Sequence, residues 1–173
     1  MPAKDLRTNY RQKEHRQKWQ QLICKKVIHT TQKTDNRSTG GRFEQDLSHA
    51  LAEAGFWVHV MQQNKAGQPA DIIAVRGVFH TLIDCKVCDG GFFSFDRVED
   101  NQRSAMKQFF RKGGQLCYFA LKLPDGSVRM VSMSRIDTLV GRGKKRISES
   151  DMAKETWLLE DWLEASATWA EDV

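Results

Sequence analysis

The stretch from Pro69 to Lys86, PADIIAVRGVFHTLIDCK, carries charged side chains at both ends of a mostly apolar segment. Two short apolar runs flank Gly77, and runs separated so briefly predict an antiparallel β-hairpin. Charges are expensive to bury unless they pair or bind a metal. A hairpin that served packing alone would therefore have little use for Asp71, Asp84 and Lys86, and these three residues most constrain what the chain can be.

The hairpin is expected to bring the three charges together. Side chains of a strand point alternately to the two faces of a sheet, so Asp84 and Lys86 share one face. The start of one strand lies beside the end of the next, which places Asp71 next to Asp84. Two carboxylates this close repel each other, and one pKa rises unless a cation lies between them. Mg²⁺ favours one or two carboxylates with substrate phosphate, and the backbone carbonyl of Cys85 is a further candidate ligand. An ordinary surface salt bridge is the alternative.

Apolar periodicity and Gly or Pro punctuation predict the remaining elements. They are a helix from Phe43 to Ala54, strands over 56–61, 71–77, 78–87, 115–123 and 127–133, a helix over 98–112, and an acidic helical segment over 150–170. Polar, glycine-rich stretches at 34–41 and 63–69 predict a linker and a turn. The order predicts an α/β fold, with a central mixed five-stranded sheet flanked by helices.

The C-terminal segment carries an apolar stripe at helical spacing. Its members are Leu158, Leu159, Trp162, Leu163 and Trp169. Such a stripe is typical of core packing, and a contact between two copies of the chain is the alternative.

Length and composition favour a globular protein. The 173 residues are 40% hydrophobic and 28% charged, and no apolar run approaches the roughly 20 residues of a membrane span. The N-terminal residues lack the apolar core of a secretory signal, so a cytoplasmic location is expected. The four cysteines show no zinc-ligand spacing and are interpreted as reduced thiols.

The net charge of +5 is unevenly distributed. Residues 1–42 hold 11 Lys and Arg against 3 Asp and Glu, whereas residues 43–173 hold 16 against 19. Such a basic arm is typical of nucleic-acid contact, with a solvated tail as the alternative. The predicted organisation is a basic arm and linker over 1–40, a core over 41–140, and a basic loop with an acidic amphipathic helix over 141–173.

Taken together, these motifs resemble the PD-(D/E)XK nuclease superfamily. The resemblance rests on Asp71, the thirteen-residue gap, Asp84-Cys85-Lys86, and an upstream helix that carries Glu44. The stretches GGRFEQDLSHALAEAGF, PAD, IDCK, NQ and KGGQLCYFAL are similar to Holliday junction resolvases of the RecU and archaeal types and their phage relatives. The similarity covers roughly residues 40–123, and it implies a restriction-endonuclease-like core.

The resemblance also implies a set of site residues. The catalytic residues would be Glu44, Asp71, Asp84, Lys86 and Gln102. Mg²⁺ or Mn²⁺ would be bound by Asp71, Asp84 and the Cys85 carbonyl, with Glu44 as an added ligand. The alternatives are a solvated helix-start glutamate at Glu44 and an exposed polar residue at Gln102.

Phosphate contacts to DNA are expected from basic side chains in three parts of the chain. They are Arg37, Arg42, Arg103, Lys107, Arg111, Lys144, Lys145 and Arg146. An ordinary solvated helix face is the alternative for Arg103, Lys107 and Arg111.

The function that this resemblance implies is a metal-dependent DNA endonuclease, a Holliday junction resolvase that acts on branched DNA in recombination and repair. A homodimer is expected because a four-way junction presents two strands related by a two-fold axis. The sequence departs from the family at Ala70, where some archaeal resolvases have serine, and in the short loop over 62–69, where RecU proteins have a long insertion. Alternatives are a restriction-like or phage-type nuclease without junction preference, and a non-catalytic nucleic-acid-binding protein.

Overall fold

The computed structural model describes residues 36–62 and 68–170. The elements in chain order are α1 (Asn36–Glu53), β1 (Trp57–Val60), β2 (Ile72–Arg76), β3 (Phe79–Val87), β4 (Phe93–Ser94), a 3₁₀ helix (Phe95–Arg97), α2 (Asp100–Arg111), β5 (Tyr118–Lys122), β6 (Val128–Ser132), α3 (Met133–Gly141), β7 (Arg146–Ile147), α4 (Glu149–Glu155), β8 (Trp157–Leu158) and α5 (Leu159–Trp169). The basic arm over 1–35 and the loop residues 63–67 lie outside the described residues.

Six strands form the main sheet, in the order β1-β2-β3-β5-β6-β8. β3 and β5 are parallel, and the other neighbouring pairs are antiparallel. The predicted hairpin is formed by β2 and β3, with Ile72 opposite Ile83. Gly77 turns the chain between them with a positive φ of 54°, a backbone conformation that glycine adopts readily.

Two hydrophobic cores pack on opposite faces of this sheet, and both receive side chains from β3. Ile83 is buried in the first core together with residues of α1 and α5. Leu82 is buried in the second core together with residues of α2 and α3. This division confirms that successive β3 side chains point to opposite faces.

The apolar stripe of the C-terminal segment belongs mainly to the first core. Leu159, Trp162 and Leu163 are buried there. The Trp162 indole lies 5.2 Å from the Tyr118 ring and 5.8 Å from the Phe56 ring, measured between centroids. These three residues therefore pack within the chain and do not form a contact between two copies.

Two predicted boundaries are wrong. The first helix begins at Asn36, so the predicted linker over 34–41 is helical from that residue onward. A Cβ at Gly40 or Gly41 would meet nothing within 4 Å, so both glycines lie on an open surface. Each glycine makes the helix only about 1 kcal/mol less stable than alanine would. The segment over 150–170 is two helices, because Thr156 is extended and Trp157–Leu158 forms a sixth strand that pairs with β6.

Helix α3 was not predicted from the sequence. It begins where the Ser132 hydroxyl accepts a hydrogen bond from the Arg135 backbone N–H at 3.2 Å. Its inner face consists of Met133, Ile136 and Leu139, which are buried in the second core. No helix within the described residues is long and apolar enough to cross a membrane.

Candidate active site

Asp71 lies beside Asp84 at the end of the β2–β3 hairpin. The Asp71 backbone N–H donates to the Ile83 carbonyl at 3.1 Å. Its carboxylate Oδ2 accepts a hydrogen bond from the Cys85 backbone N–H at 2.6 Å. β2 begins at Ile72, so the Asp71 side chain accepts the backbone hydrogen bond of Cys85 just beyond the end of the β2–β3 ladder. Asp71 and Asp84 are therefore adjacent, as expected.

Asp84 is fully buried and is held by two neighbours. Its Oδ1 accepts a hydrogen bond from Gln102 Nε2 at 2.6 Å, and its Oδ2 lies 2.8 Å from the Lys86 ammonium. The same ammonium donates to Gln102 Oε1 at 3.3 Å. Asp84, Lys86 and Gln102 therefore form a closed polar triangle, in which each side chain fixes the other two.

Gln102 reaches this triangle from the first turn of α2. Its Oε1 also accepts a hydrogen bond from the Glu99 backbone N–H at 3.3 Å, at the residue that caps the helix. Because an N-terminal backbone N–H of a helix has no intrahelical partner, this contact stabilises the start of α2 and orients the amide. Gln102 is buried, so its position differs from the exposed alternative.

The acids perturb one another electrostatically. Burial, and then the negative charge of Asp71, raises the pKa of Asp84 to about 7, although the Lys86 ammonium opposes this shift. Burial and the charge of Asp71 also raise the pKa of Glu44, which is half-buried on α1. Glu44 therefore lies within electrostatic range of Asp71 and Lys86, whereas Asp84, Lys86 and Gln102 are in direct contact.

Gln68 was not predicted to be a site residue. Its Nε2 donates to Asp71 Oδ1 at 2.7 Å, so both Asp71 oxygens are held. Gln68 Oε1 is buried and has no hydrogen-bond partner within residues 36–62 and 68–170. A buried polar atom without a partner costs roughly 1–3 kcal/mol, which indicates that a donor or cation belongs beside it. The residue lies in a polar turn, and only its place next to Pro-Ala-Asp hinted at a role.

The donor set fits a hard divalent cation that is shared with a substrate. No group of three or more His, Cys, Asp or Glu side chains in residues 36–62 and 68–170 is arranged to hold a metal ion alone. Asp71 and Asp84 supply two carboxylates. Backbone groups two residues apart in a strand face the same side, so the Cys85 carbonyl is directed toward Asp71, as the Ile83 carbonyl is. Two carboxylates, a carbonyl and substrate phosphate match Mg²⁺.

The basic residues that were predicted to contact DNA are in different situations. Arg103 and Lys107 of α2 both pair with Asp137 of α3, the latter at 3.1 Å. Lys144 pairs with Asp151 at 2.9 Å, so the charge of these three residues is partly neutralised within the chain.

The other predicted DNA contacts have no ion pair among the salt bridges of the described residues. Arg42, Arg111, Lys145 and Arg146 are exposed. The Arg146 guanidinium lies over the Phe92 ring. Arg37 lies in α1, but its side chain is outside the described part of the chain.

Comparisons with known proteins agree with this geometry. Residues 35–169 match the family of archaeal Holliday junction resolvases (hjc). The structure is similar to that of Archaeoglobus fulgidus Hjc, a Holliday junction resolvase from an archaeal hyperthermophile, with 25% sequence identity and a TM-score of 0.58. That similarity covers 72% of this chain and 99% of the Archaeoglobus chain. No curated protein sequence matches. The α/β fold predicted from the sequence is confirmed, with six strands in the main sheet where five were expected.

Proposed function

The chain belongs to the archaeal Holliday junction resolvase family, and from this premise we propose that it hydrolyses phosphodiester bonds of branched DNA with Mg²⁺ or Mn²⁺ at Asp71 and Asp84. The family and the Archaeoglobus neighbour identify a Holliday junction resolvase nuclease. The metal, the residue roles and the homodimer are our proposals. The observation that supports them best is the contact of Asp71 with the strand that carries the Asp84–Lys86–Gln102 triangle.

Asp71 and Asp84 would hold the cation, with the Cys85 carbonyl beside them and Glu44 at its outer side. A divalent cation at such a site polarises a phosphate and makes a bound water a better nucleophile at neutral pH. Asp84 must be ionised to serve as a ligand, and because its pKa is about 7 it is still partly protonated near neutrality, so a bound cation displaces a proton. The site therefore couples cation binding to release of a proton.

Lys86 would stabilise negative charge on the phosphate and place a proton donor beside it. Its side chain is only 12% exposed and its ammonium is held by Asp84 and Gln102, so the charge is already in position before DNA arrives. A preorganised charge in a site with little water stabilises a transition state more than a mobile one does. Gln102 acts on the reaction through Asp84 and Lys86, which makes it a positioning residue.

Gln68 would act on the opposite side of the site. Its hydrogen bond fixes the Asp71 carboxylate. Its unpartnered Oε1 would accept a hydrogen bond from a water of the bound cation. Gln68 thereby adds a third oxygen-bearing side chain next to the two carboxylates.

A homodimer would match the two-fold symmetry of the junction. Since Leu159, Trp162 and Leu163 are buried, its contact must be sought elsewhere. Val58 packs against the first core, so Trp57 points to the side of the sheet that α2 covers. Trp57 is 62% exposed and Phe110 of α2 is 56% exposed, which makes them candidate contacts.

Because its substrate would be cellular or phage DNA, we propose a cytoplasmic enzyme.

The test is cleavage of a labelled four-way junction and of a linear duplex of the same sequence, with and without Mg²⁺. The native protein is expected to make symmetric paired nicks in the junction only when Mg²⁺ is present. Asp84→Ala is expected to bind the junction without cleaving it, and Asp89→Ala, which removes an exposed carboxylate from the same segment, is the matched control. Equal cleavage by Asp84→Ala and the native protein would contradict the assignment of the site.

A further inference from the structure

An aromatic side chain and a guanidinium lie against each other on the surface beyond the active-site strand. Phe92 is 40% exposed, although phenylalanine is usually buried. The Arg146 guanidinium carbon lies 5.2 Å from the centroid of its ring, within the range of a cation–π contact. The two residues are 54 positions apart in the sequence, so the fold brings them together.

The backbone holds this pair in place. β4 and β7 form a separate two-stranded sheet in which Ser94 lies opposite Arg146. Phe92 directly precedes β4, and Arg146 lies opposite Ser94 at the other end of this short pair, which places Arg146 within reach of the ring. A Cβ at Gly90 would lie 2.6 Å from the Phe92 ring, so the ring edge rests on bare backbone at that point. The exposed ring is thus supported and has little freedom to collapse into the core.

Several cations surround the pair, together with the carboxylate of Glu149 next to Gly91, and the pair is near Lys86 along the chain. Phe92 follows Lys86 by six residues, and a chain of six residues spans at most about 20 Å. Lys145 precedes Arg146, and its carbonyl accepts a hydrogen bond from the Phe95 backbone N–H at 3.0 Å. Arg142 and Lys145 are exposed, and neither takes part in an ion pair of the described residues. An anion that follows this surface would therefore meet several cations around an apolar ring.

We propose that Phe92 and Arg146 form a stacking platform for an unpaired nucleobase of the DNA substrate, with Lys145 on a neighbouring phosphate. The proposal rests on the proposed function, and it specifies which feature of branched DNA the enzyme contacts. In a duplex the faces of the bases are covered by their neighbours, whereas bases at a branch point can leave the stack. A phenyl ring has no polar edge to select among bases, so the platform would favour unpaired structure without a sequence preference.

The expected energy of such a contact is large enough to measure. Stacking of one base on an aromatic side chain, judged by alanine substitution, corresponds to roughly a 5- to 150-fold change in affinity. Phe92→Ala is therefore expected to raise the Kd for a four-way junction by about tenfold. Phe92→Trp is expected to keep the native affinity. Phe92→Leu, which keeps apolar volume but has no aromatic face, is expected to behave like Phe92→Ala.

The experiment uses the full chain in EDTA, so that binding is measured without cleavage. The DNA is a four-way junction with 2-aminopurine within about six nucleotides of the branch, and a linear duplex with 2-aminopurine at the same position. Native protein and Phe92→Trp are expected to change the 2-aminopurine fluorescence of the junction, and Phe92→Leu is not. Trp157→Leu, which removes another exposed aromatic side chain, is the matched control and is expected to match the native protein.

The results separate two failures. If the native protein binds and cleaves the junction but Phe92→Leu gives the same Kd and fluorescence change, the platform is refuted and the nuclease assignment stands. If the native protein neither binds the junction in preference to the duplex nor cleaves it, the proposed function fails and the platform fails with it. A change of equal size in Kd for junction and duplex would also refute the platform, because it would show a general contact with the DNA backbone.

Discussion

Replacing Asp84 with asparagine should stabilise the metal-free protein at high pH while abolishing cleavage. Asp84 is fully buried, and its charge lies close to that of Asp71. In EDTA no divalent cation offsets this repulsion, and the Lys86 ammonium offsets only part of it. Asparagine has nearly the same shape, still accepts the hydrogen bond from Gln102, and has no charge to bury.

The size and sign of the effect follow from the pKa of Asp84. Its value rises from 3.8 to about 7 on folding. Between these two values the folded protein binds more protons at Asp84 than the unfolded chain does. The free energy of unfolding therefore decreases as pH rises through this window, by up to about 4 kcal/mol for three pKa units. The Asp84→Asn protein lacks this contribution, so its stability relative to native should grow by a similar amount between pH 4 and pH 8.

The measurement is urea unfolding of both proteins at intervals from pH 4 to pH 8 in EDTA. Groups distant from Asp84 titrate alike in the two proteins, so the difference reports on Asp84 and the groups in contact with it. Loss of the partner of Lys86 adds an offset but no comparable slope in this range. Asp89→Asn controls for removal of one exposed carboxylate. If the difference in free energy of unfolding between the two proteins changes by less than about 1 kcal/mol from pH 4 to pH 8, the conclusion that Asp84 is buried and repelled by Asp71 is refuted.

Four further outcomes are expected. Binding of Mn²⁺ measured by calorimetry should weaken roughly tenfold per pH unit below about 7, because Asp84 becomes protonated, and constant affinity from pH 5 to pH 8 would contradict this. Lys86→Ala should leave Asp84 buried without its cation, which costs about 3 kcal/mol of stability at pH 8 in urea unfolding. Gln68→Ala should weaken Mn²⁺ binding, whereas exposed Gln108→Ala should not. Phe110→Ser should shift the mass measured by light scattering from dimer to monomer, and an unchanged mass would remove Phe110 from the interface.

The hairpin could be predicted from the sequence because its determinants are local. Alternating apolar residues on both sides of Gly77 fix the register, and the register alone places Asp71 beside Asp84. For α1, the C-terminal end was predicted correctly and the N-terminal end was not. Gly55 stops the helix as expected, with a positive φ of 91°, whereas Gly40 and Gly41 lie within the helix. Glycine ends a helix where a left-handed conformation is used, and composition alone does not show where that happens.

Contacts between distant segments escaped prediction for a related reason. Gln68 is one of several polar residues in a turn, and its importance depends on the carboxylate it meets after folding. The short strands β4 and β7 each have two residues, too few for any periodicity, and pair across more than fifty positions. Phe92 and Arg146 looked like an ordinary aromatic residue and part of a basic loop until that pairing brought them together.

The protonation state of the site depends on these distant contacts as much as on the hairpin. An Asp-x-Lys pair at the end of an exposed hairpin would be a surface salt bridge with little effect on stability. Here α2 covers the strand, Gln102 closes the polar triangle, and α1 brings Glu44 within electrostatic reach. Burial, and then the charge of Asp71, raises the pKa of Asp84 toward neutrality. The sequence therefore predicts which acids meet, but it is the packing of α1 and α2 over the hairpin that makes them a site which exchanges a proton for a cation.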